Sequence, residues 1–450
     1  MTVEPAPESA PIVDQRRPDP PGIRESLKVR ALRWLGAYRR FGYWLATIWS
    51  GLSRTVEERA SAASTGAKPV EQDTTLQPSY YHQAVRELSG HPDRPDLTRF
   101  ERSSPGEADA IERVAQIISR SVISGYCDVR KADRAAKAMR GQHAKHHGCL
   151  KANFIVHEKL PPEFAVGIFR PGATYPAVVR FSNSKGFKES DKSADGRGMA
   201  VKLLSVNGKG ILADWLPQRG ATEQDFLISG HPVFFCRDVP DYTEFMTMLD
   251  MPRGTRGESL RANSRFALFF LRRPPRVLCA FIKTAIRRVD SPLEIDYHSM
   301  TPYLFGPDRV VRYVATPLAA PRHAKRDRNL LGDNYMHDEL VAALNPARHP
   351  KGTSIAFDFS IQVKRAPTPK DVEDANRQWR GRGAVRVSLA RIEIPMQRFD
   401  VADQEHDCEN YSFNPWNCLP EHRPLGGLNR MRLAGYMAST RMRHRLNGLG

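Results

Sequence analysis

PAVVRFSNS, residues 176–184, is the stretch that decides the fold. Its β-branched and aromatic residues predict a strand, and the two-residue period of a strand puts Arg180 and Ser182 on one face and Phe181 on the other. An arginine on an inward face requires an anionic partner, whereas the alternative is a surface arginine on an edge strand. The stretch therefore predicts either a buried anion site or an exposed sheet edge.

Short apolar stretches of similar character surround this strand and are separated by Pro and Gly. They are NFIVHEKL (153–160), AVGIF (165–169), GMAVKLLSV (198–206), DFLIS (225–229), VVRYVATPL (310–318), SIAFDFSIQV (354–363) and AVRVSLARIEI (384–394). Helices are expected at residues 105–123, 264–271, 277–286 and 428–447. Since the early strands follow one another without crossover helices, the pattern predicts an α+β fold in which an antiparallel meander forms a β-barrel with helices around it.

The composition indicates a folded protein with an acidic partner. The 450 residues include 40% hydrophobic and 26% charged residues, and 68 Lys and Arg against 50 Asp and Glu give a formal net charge of +18. Such an excess favours a membrane surface, nucleic acid or an anionic cofactor as partner. The scattered cysteines predict neither a zinc ribbon nor a disulfide framework, and they favour a reducing compartment. They are Cys127, Cys149, Cys236, Cys279, Cys408 and Cys418.

The N-terminal part divides into three segments by composition. Residues 1–23 are Pro-rich and are predicted to be a disordered tail. Residues 24–54 have apolar side chains in steps of three and four and several arginines, which predicts a basic amphipathic helix. This helix either lies on anionic lipid or packs on the domain or on a partner subunit of a homo-oligomer. Residues 55–105 are predicted to be an irregular arm.

The location predicted from the sequence is the cytoplasm, and the alternative in which residues 24–54 lie on lipid adds association with a membrane surface. No segment has the roughly 18 to 20 consecutive apolar residues that a membrane span requires. The basic stretch RQWRGRGAVR (377–386) is predicted to be a solvated loop, so nucleic acid is not expected as a partner.

Three histidines in RGQHAKHHG (140–148) offer a first site for chemistry. His143, His146 and His147 have the spacing to bind a divalent metal from one helix face, or they form a polar turn. In the last helix, Arg432 and Tyr436 are four residues apart and must be neighbours. An arginine beside a phenol favours the tyrosinate form, which is a ligand for ferric haem iron.

These pieces occur in an order that is similar to one known family. The matching runs are RGQHAKHHG (140–148), PAVVRFSNS (176–184), RGMAVKLL (197–204), DFLISGHPVFFCRD (225–238), YHSMTPY (297–303), FDFSIQV (357–363), FNPWN (413–417) and RMRLAGY (430–436). With them, the chain from about residue 136 to the end resembles the haem-dependent catalase family, most of all its short bacterial catalase-like branch. The resemblance implies a haem domain over residues 106–450, with an antiparallel barrel that encloses haem. We expect no C-terminal helical domain, because 14 residues follow Tyr436.

The resemblance also implies roles for individual residues. His143 matches the histidine on the distal side of the haem, and Ser182 matches the serine that bonds to it. Tyr436 matches the ligand of the haem iron, and Arg432 its partner. Ser229 stands where the family has a distal asparagine. The other haem-contacting positions implied are Arg140, Arg180, Phe235, Tyr242, Phe413 and either Arg443 or Arg445.

The function that the resemblance implies is haem-dependent decomposition of hydrogen peroxide, as in catalases and peroxidases. One alternative keeps the haem but converts fatty-acid or other organic hydroperoxides at a membrane surface. A second alternative is a haem-binding protein without turnover, which Ser229 in place of the distal asparagine favours. The sequence leaves the electron donor, NADPH binding and the oligomeric state open.

Overall fold

The computed structural model describes residues 98–449, apart from 214–221, 253, 288, 319–326, 328–329 and 351. The predicted tail (1–23), the predicted basic helix (24–54) and residues 55–97 of the predicted arm lie outside the described residues. None of the helices within the described ranges combines the length and the hydropathy needed to cross a membrane.

An antiparallel sheet forms the centre of the fold. In order around the sheet, its strands are β5-β4-β3-β2-β1-β9-β8-β7-β6, and a further pairing of β5 with β7 closes eight of them into a barrel. The short strand β6 extends this barrel at β7. The strands are β1 (His146–Val156), β2 (Thr174–Asn183), β3 (Arg197–Val206), β4 (Thr222–Ser229), β5 (Tyr297–His298), β6 (Tyr303–Phe305), β7 (Arg309–Pro317), β8 (Ser354–Lys364) and β9 (Ala384–Pro395). The predicted antiparallel barrel within an α+β fold is confirmed.

Helices surround the barrel and include the four that were predicted. They are α1 (Glu107–Ala132), α2 (Val239–Leu249), α3 (Arg256–Leu271), α4 (Pro275–Ile286), α5 (Tyr335–Leu344), α6 (Pro369–Glu373), α7 (Ala402–Asn410) and α8 (Gly427–Leu446). Helix α3 begins at Arg256, before the predicted start at residue 264. Its N-terminus is set by a capping box, which Thr255 and Glu258 form. Short 3-10 turns lie at Pro162–Phe164, Pro292–Glu294, Pro346–Arg348, Gly381–Gly383 and Pro420–His422.

The interior of the barrel is filled by aromatic side chains. Phe154, Phe226 and Phe359 pack with ring centroids 4.8 to 5.9 Å apart, and Phe169 and Tyr313 pack against Phe359. A second core lies outside the barrel, where α1, α2 and α8 pack together. Since this core fills the interior formed by the described residues, we expect a cofactor site among those residues to lie outside the barrel, between its wall and the helices.

The predicted strand at residues 165–169 is wrong, because this stretch forms a turn. Gly167 has a left-handed φ of 56°, which an alternating strand does not permit. A Cβ at Gly167 would also collide with the imidazole of His422, which accepts a hydrogen bond from the backbone N–H of Ile168 at 3.3 Å. The turn places the Phe169 ring in the barrel interior, where it is fully buried.

A buried arginine anchors α8 to the start of α1. Arg430 is 2% exposed, and its guanidinium donates to Glu101 at 2.7 Å and to Glu107 at 2.5 Å. Glu101 also accepts from the backbone N–H of Gly426, immediately before the helix. This network fixes the direction in which α8 leaves the barrel, and so the position of the residues further along it.

We predict that Arg430→Ala lowers the free energy of unfolding by about 3–5 kcal/mol, because it leaves two buried carboxylates without their cation. The measurement is urea denaturation. The exposed residue Arg398 supplies the matched control, and Arg398→Ala should change the free energy by no more than about 0.5 kcal/mol. Equal effects of the two substitutions would contradict the anchoring role of Arg430.

Candidate active site

A row of small residues on the outer face of the barrel forms the floor of the site. Ser182 pairs with Gly198, which in turn pairs with Ser229. Paired residues of neighbouring strands point to the same side, so these three side-chain positions share a face, while Phe181 points into the barrel core. The predicted alternative of an edge-strand Arg180 is wrong, because β2 lies between β1 and β3 and Arg180 is 3% exposed.

His143 lies over this row, in the loop that leads into β1. Its backbone has a left-handed φ of 57°, which is uncommon for a residue other than glycine, and its N–H donates to Ser184 O at 3.1 Å. The imidazole Nδ1 lies 3.0 Å from Ser182 Oγ. A Cβ at Gly198 would lie 2.8 Å from Cε1 of His143, so the ring occupies space that only glycine leaves open. Burial, with the charge of Arg180, lowers the pKa of His143 to about 4, which keeps the ring neutral at pH 7.

The three histidines of residues 140–148 do not form a shared ligand set. This stretch is a loop followed by the start of β1, so the helical spacing does not apply. His143 contacts Ser182, His146 pairs with Glu409 at 3.1 Å, and His147 Nε2 lies 2.9 Å from Asn183 Oδ1. The predicted metal alternative is therefore not formed by these three rings.

Three arginines predicted to bind an anionic group converge beside His143. Arg180 and Arg443 are 3% and 1% exposed, and the side chain of Arg140 is 11% exposed. Burial lowers the pKa of Arg180 well below its ordinary value, and the positive charges of Arg140 and Arg443 lower it further. Arg445, the alternative to Arg443, is exposed. The structure thus favours Arg443 as the third member of this arginine cluster.

Within the described residues, one member of the arginine cluster, Arg180, keeps a donor without a protein acceptor. Arg140 binds Glu409 at 2.7 Å and the backbone oxygens of Cys408 and Tyr411 at 2.8 and 2.9 Å. Arg180 donates from Nη2 to the carbonyl of His143 at 2.8 Å, but its buried Nε has no hydrogen-bond partner. A buried guanidinium that keeps a donor without an acceptor indicates an anionic ligand.

Arg432 and Tyr436 on α8 contribute a further part of the site, near enough to His143 and Arg180 to interact with them electrostatically. The guanidinium carbon of Arg432 lies 5.6 Å from the centre of the Tyr436 ring, as the helical spacing predicts. Thr301 Oγ1 and Asn429 Oδ1 each accept a hydrogen bond from Arg432 at 3.1 Å and hold it in place. Burial acts to lower the pKa of Arg432, but the phenols of Tyr303 and Tyr436 raise it above its ordinary value. The cation is thus fixed beside a half-buried phenol.

An aromatic wall borders the site on the side of α2. The ring of Phe235 packs 4.7 Å from Phe234, 4.8 Å from Phe245 and 5.2 Å from Phe281. The tilted ring of Tyr242 packs against Phe234, with the ring centroids 5.5 Å apart. Both Phe235 and Tyr242 are half-buried, so the wall presents apolar ring surface toward the site.

The hydroxyl of Tyr242 joins this wall to the loop that carries His143. It accepts a hydrogen bond from Gln142 Nε2 at 3.0 Å, and burial raises the pKa of Tyr242, which keeps the phenol protonated. Gln142 also lies 3.6 Å from the sulfur of Met246 in α2. The backbone beside His143 is thus held by α2 as well as by the barrel.

Two predicted site residues have their polar or aromatic groups engaged elsewhere. The hydroxyl of Ser229 donates to the carbonyl of Arg197 at 3.1 Å. The ring of Phe413 lies 5.3 Å from the ammonium of Lys202, which is fully buried and paired with Asp225 at 2.7 Å. The hydroxyl hydrogen of Ser229 is thus already engaged within the floor of the site, and the ring of Phe413 lies against a buried cation.

Several residues of the site were not predicted from the sequence. Glu409 and Gly198 carry no local pattern, since their roles depend on the partners that the fold brings to them. The structure also pairs Cys149 with Cys408 in a disulfide that joins β1 to α7, with 5.8 Å between their Cα atoms. The sequence prediction of no disulfide framework missed this pair, because 259 residues separate the two cysteines.

The residues present fit the haem that the resemblance implies. The cluster of Arg140, Arg180 and Arg443 has the charge and the spare donor to bind the carboxylates of such a cofactor. Tyr436 offers a phenol oxygen next to the cation of Arg432, and the aromatic wall offers apolar surface for a flat ring.

Comparisons with known proteins agree with this assignment. The chain is 27% identical over 324 residues to a catalase-related peroxidase of Mycolicibacterium paratuberculosis, and the match covers 70% of this chain and 92% of the relative. No protein-family model matches the chain. The match extends over most of the length of the relative, which confirms the predicted resemblance to catalase-like proteins.

Solved structures of catalases share the fold. A fungal catalase superposes with a TM-score of 0.52 at 15% identity, and it covers 72% of this chain and 63% of its own. Catalase A of Saccharomyces cerevisiae gives 0.53 at 17%, covering 72% of this chain and 66% of its own. A bacterial catalase gives 0.51 at 16%, covering 72% and 60%. The chain thus spans less than two thirds of the length of these catalases.

We predict that the free energy of unfolding falls as the pH is lowered from 7 to 4, in part through His143. The folded-state pKa of this group, about 4, lies below the ordinary value of 6.5, so in this window the unfolded chain binds more protons than the folded chain. His143→Gln should therefore make the fall smaller when urea denaturation is measured across this pH range. An equal fall in the variant and the wild type would show that His143 does not contribute.

Proposed function

We propose that this chain, which has the fold of the catalases and resembles a catalase-related peroxidase, is a haem-dependent enzyme that cleaves peroxides. The observation that carries the proposal is the placement of a neutral imidazole, His143, and a phenol, Tyr436, beside one cluster of buried arginines.

The cofactor would be held by charge at one edge and by the phenol at its centre. Arg140, Arg180 and Arg443 are the partners for its two carboxylates, since bidentate arginine–carboxylate pairs are the strongest such contacts. Tyr436 would be the iron ligand, and the guanidinium carbon of Arg432 lies 5.6 Å from the centre of its ring. When bound, haem supplies the redox-active iron at which peroxide is split.

His143 would move the proton that peroxide cleavage requires. Because burial keeps the imidazole neutral, it can take a proton from the peroxide and return it to the departing oxygen. Ser182, at 3.0 Å from Nδ1, fixes the orientation of the ring and leaves Nε2 for the peroxide. Gly198 supports this role because it leaves room for the ring above β3.

A second candidate is the conversion of organic hydroperoxides, and two observations favour it. The hydroxyl of Ser229, at the position where the family has an asparagine, is bonded to the carbonyl of Arg197. The asparagine amide that could bind hydrogen peroxide is thus replaced by a hydroxyl that already donates to a backbone carbonyl. The wall formed by Phe234, Phe235 and Phe281 also suits an apolar substituent on the peroxide.

We predict that Tyr436→Phe weakens haem binding by at least about tenfold, because it removes the iron ligand and leaves the apolar ring. Titration with hemin, followed by absorption spectroscopy, measures the affinity and the ligand together. Tyr126→Phe, in α1, is the matched control and should leave the titration unchanged. An unaltered spectrum in the Tyr436 variant would show that the ligand is another residue.

We predict that His143→Ala retains haem and loses peroxide cleavage by roughly 10²–10⁴-fold, the usual contribution of a general acid–base group. Gly198→Ala should give a similar loss, because its Cβ would displace the imidazole. Gly125→Ala is the matched control, since a Cβ there has no atom within 4 Å.

Turnover is measured as oxygen evolution from hydrogen peroxide and as consumption of a lipid hydroperoxide, and their ratio decides between the two substrate classes. If the wild type binds haem but catalyses neither reaction, the proposed enzymatic function is wrong and the protein is a haem-binding protein without turnover.

A further inference from the structure

Helix α3 (Arg256–Leu271) is hydrophobic on two sides. Its inner side packs Phe266, Phe269 and Phe270 into the aromatic cluster around Phe281. Its outer side exposes three leucines, which have no place in that packing: Leu260, Leu268 and Leu271 are 68%, 38% and 81% exposed. At 3.6 residues per turn these leucines fall within an arc of roughly 80° on the side away from Phe269.

Arginines border this leucine stripe. Arg261, Arg265 and Arg272 lie along one side of it and Arg256 along the other, and all four are exposed. None of the four forms an ion pair with another residue in the described ranges, whereas the neighbouring Arg273 binds Asp241 and Glu244. We name the exposed leucines and these four arginines the α3 face.

The α3 face lies in the part of the chain with the highest positive charge. Residues 252–288 contain ten Lys and Arg and one Glu, so less than a tenth of the sequence carries half of the formal net charge of +18. Positive charge of this density attracts anionic surfaces and is not needed for the packing of α3, which is made by phenylalanines.

We propose that the α3 face docks on the surface of an anionic lipid bilayer. Leucines that enter the interface between headgroups and acyl chains, with arginines on the headgroup phosphates, are the arrangement by which a helix lies on a membrane. Both halves of the face then have partners, the leucines in the acyl region and the arginines in the headgroup layer. The inference goes beyond the proposed function and does not depend on bound haem.

Other possible partners of the α3 face match either its leucines or its arginines, but not both. A second copy of the chain would cover the leucines but would bring the same positive charge against the arginines. Nucleic acid would satisfy the arginines but leave three leucines in water, and the face has no exposed aromatic ring for base stacking. An anionic bilayer is the surface that offers apolar depth and negative charge together.

Docking through α3 would set the orientation of the candidate active site. The ring of Phe270 packs 4.9 Å from Phe281, which packs 5.2 Å from Phe235 in the aromatic wall of the site. The inner side of α3 is therefore joined to that wall by direct ring contacts. A membrane-bound molecule would hold this wall of the site toward the lipid.

Co-sedimentation of the full chain with lipid vesicles tests the proposal. We expect binding to vesicles that contain phosphatidylglycerol, weaker binding at high salt, and little binding to phosphatidylcholine alone. Arg261→Gln, Arg265→Gln and Arg272→Gln combined should lower the partition coefficient roughly a hundredfold, since each cation near an anionic surface contributes about 1 kcal/mol, or about fivefold. Leu260→Ser with Leu271→Ser should also lower it at constant charge.

Matched controls and a local readout separate α3 from other basic segments, including residues 24–54. Leu318→Ser with Leu330→Ser removes two leucines that are 56% and 85% exposed elsewhere and should leave binding unchanged. Hydrogen exchange of the wild type should show that vesicles protect residues 256–271. Binding that survives both sets of α3 substitutions, or protection confined to other segments, would overturn the proposal. A change in oligomeric state in the leucine variants without lipid binding in the wild type would identify a second copy as the occupant instead.

Discussion

The demand of buried arginines for an anion is the constraint on which the site depends. Arg140, Arg180 and Arg443 converge in the space between the barrel wall and α8, and Glu409 is the carboxylate that pairs with Arg140 there. Burial lowers the pKa of Arg180, which means that the folded chain holds this charge at a cost in stability. An anionic ligand would offset this cost, which is the role that the proposed function gives to the haem carboxylates.

The barrel and α8 bring the two halves of the site together by different means. The barrel supplies its half by strand register, which sets Ser182 and Gly198 side by side and leaves room for the ring of His143. Helix α8 supplies its half by its 3.6-residue period, which puts Arg432 and Tyr436 on one face. His143 itself is carried by the loop between α1 and β1, and the hydrogen bond from its backbone N–H to Ser184 O ties that loop to the end of β2.

What the sequence could predict follows from which features are local. Strand alternation correctly put Arg180 and Ser182 on one face, but it could not say that this face is the outer one, because that depends on how the barrel fills. The strand predicted at residues 165–169 failed because a single left-handed position, Gly167, turns the chain. The Cys149–Cys408 pair and the role of Glu409 arise from contacts over more than 250 residues of sequence, which no local pattern contains.

The arginines of the site also affect the pKa of the His143 imidazole. Arg180, Arg432 and Arg140 each act, after burial, to lower the pKa of His143. An anionic ligand on the arginines would offset part of this effect and raise the pKa of His143 again, toward the range in which a ring can both accept and return a proton. Under the proposed function, ligand binding and proton transfer by His143 would therefore be coupled through charge. This coupling requires no movement of the backbone, so a rigid barrel wall is sufficient for it.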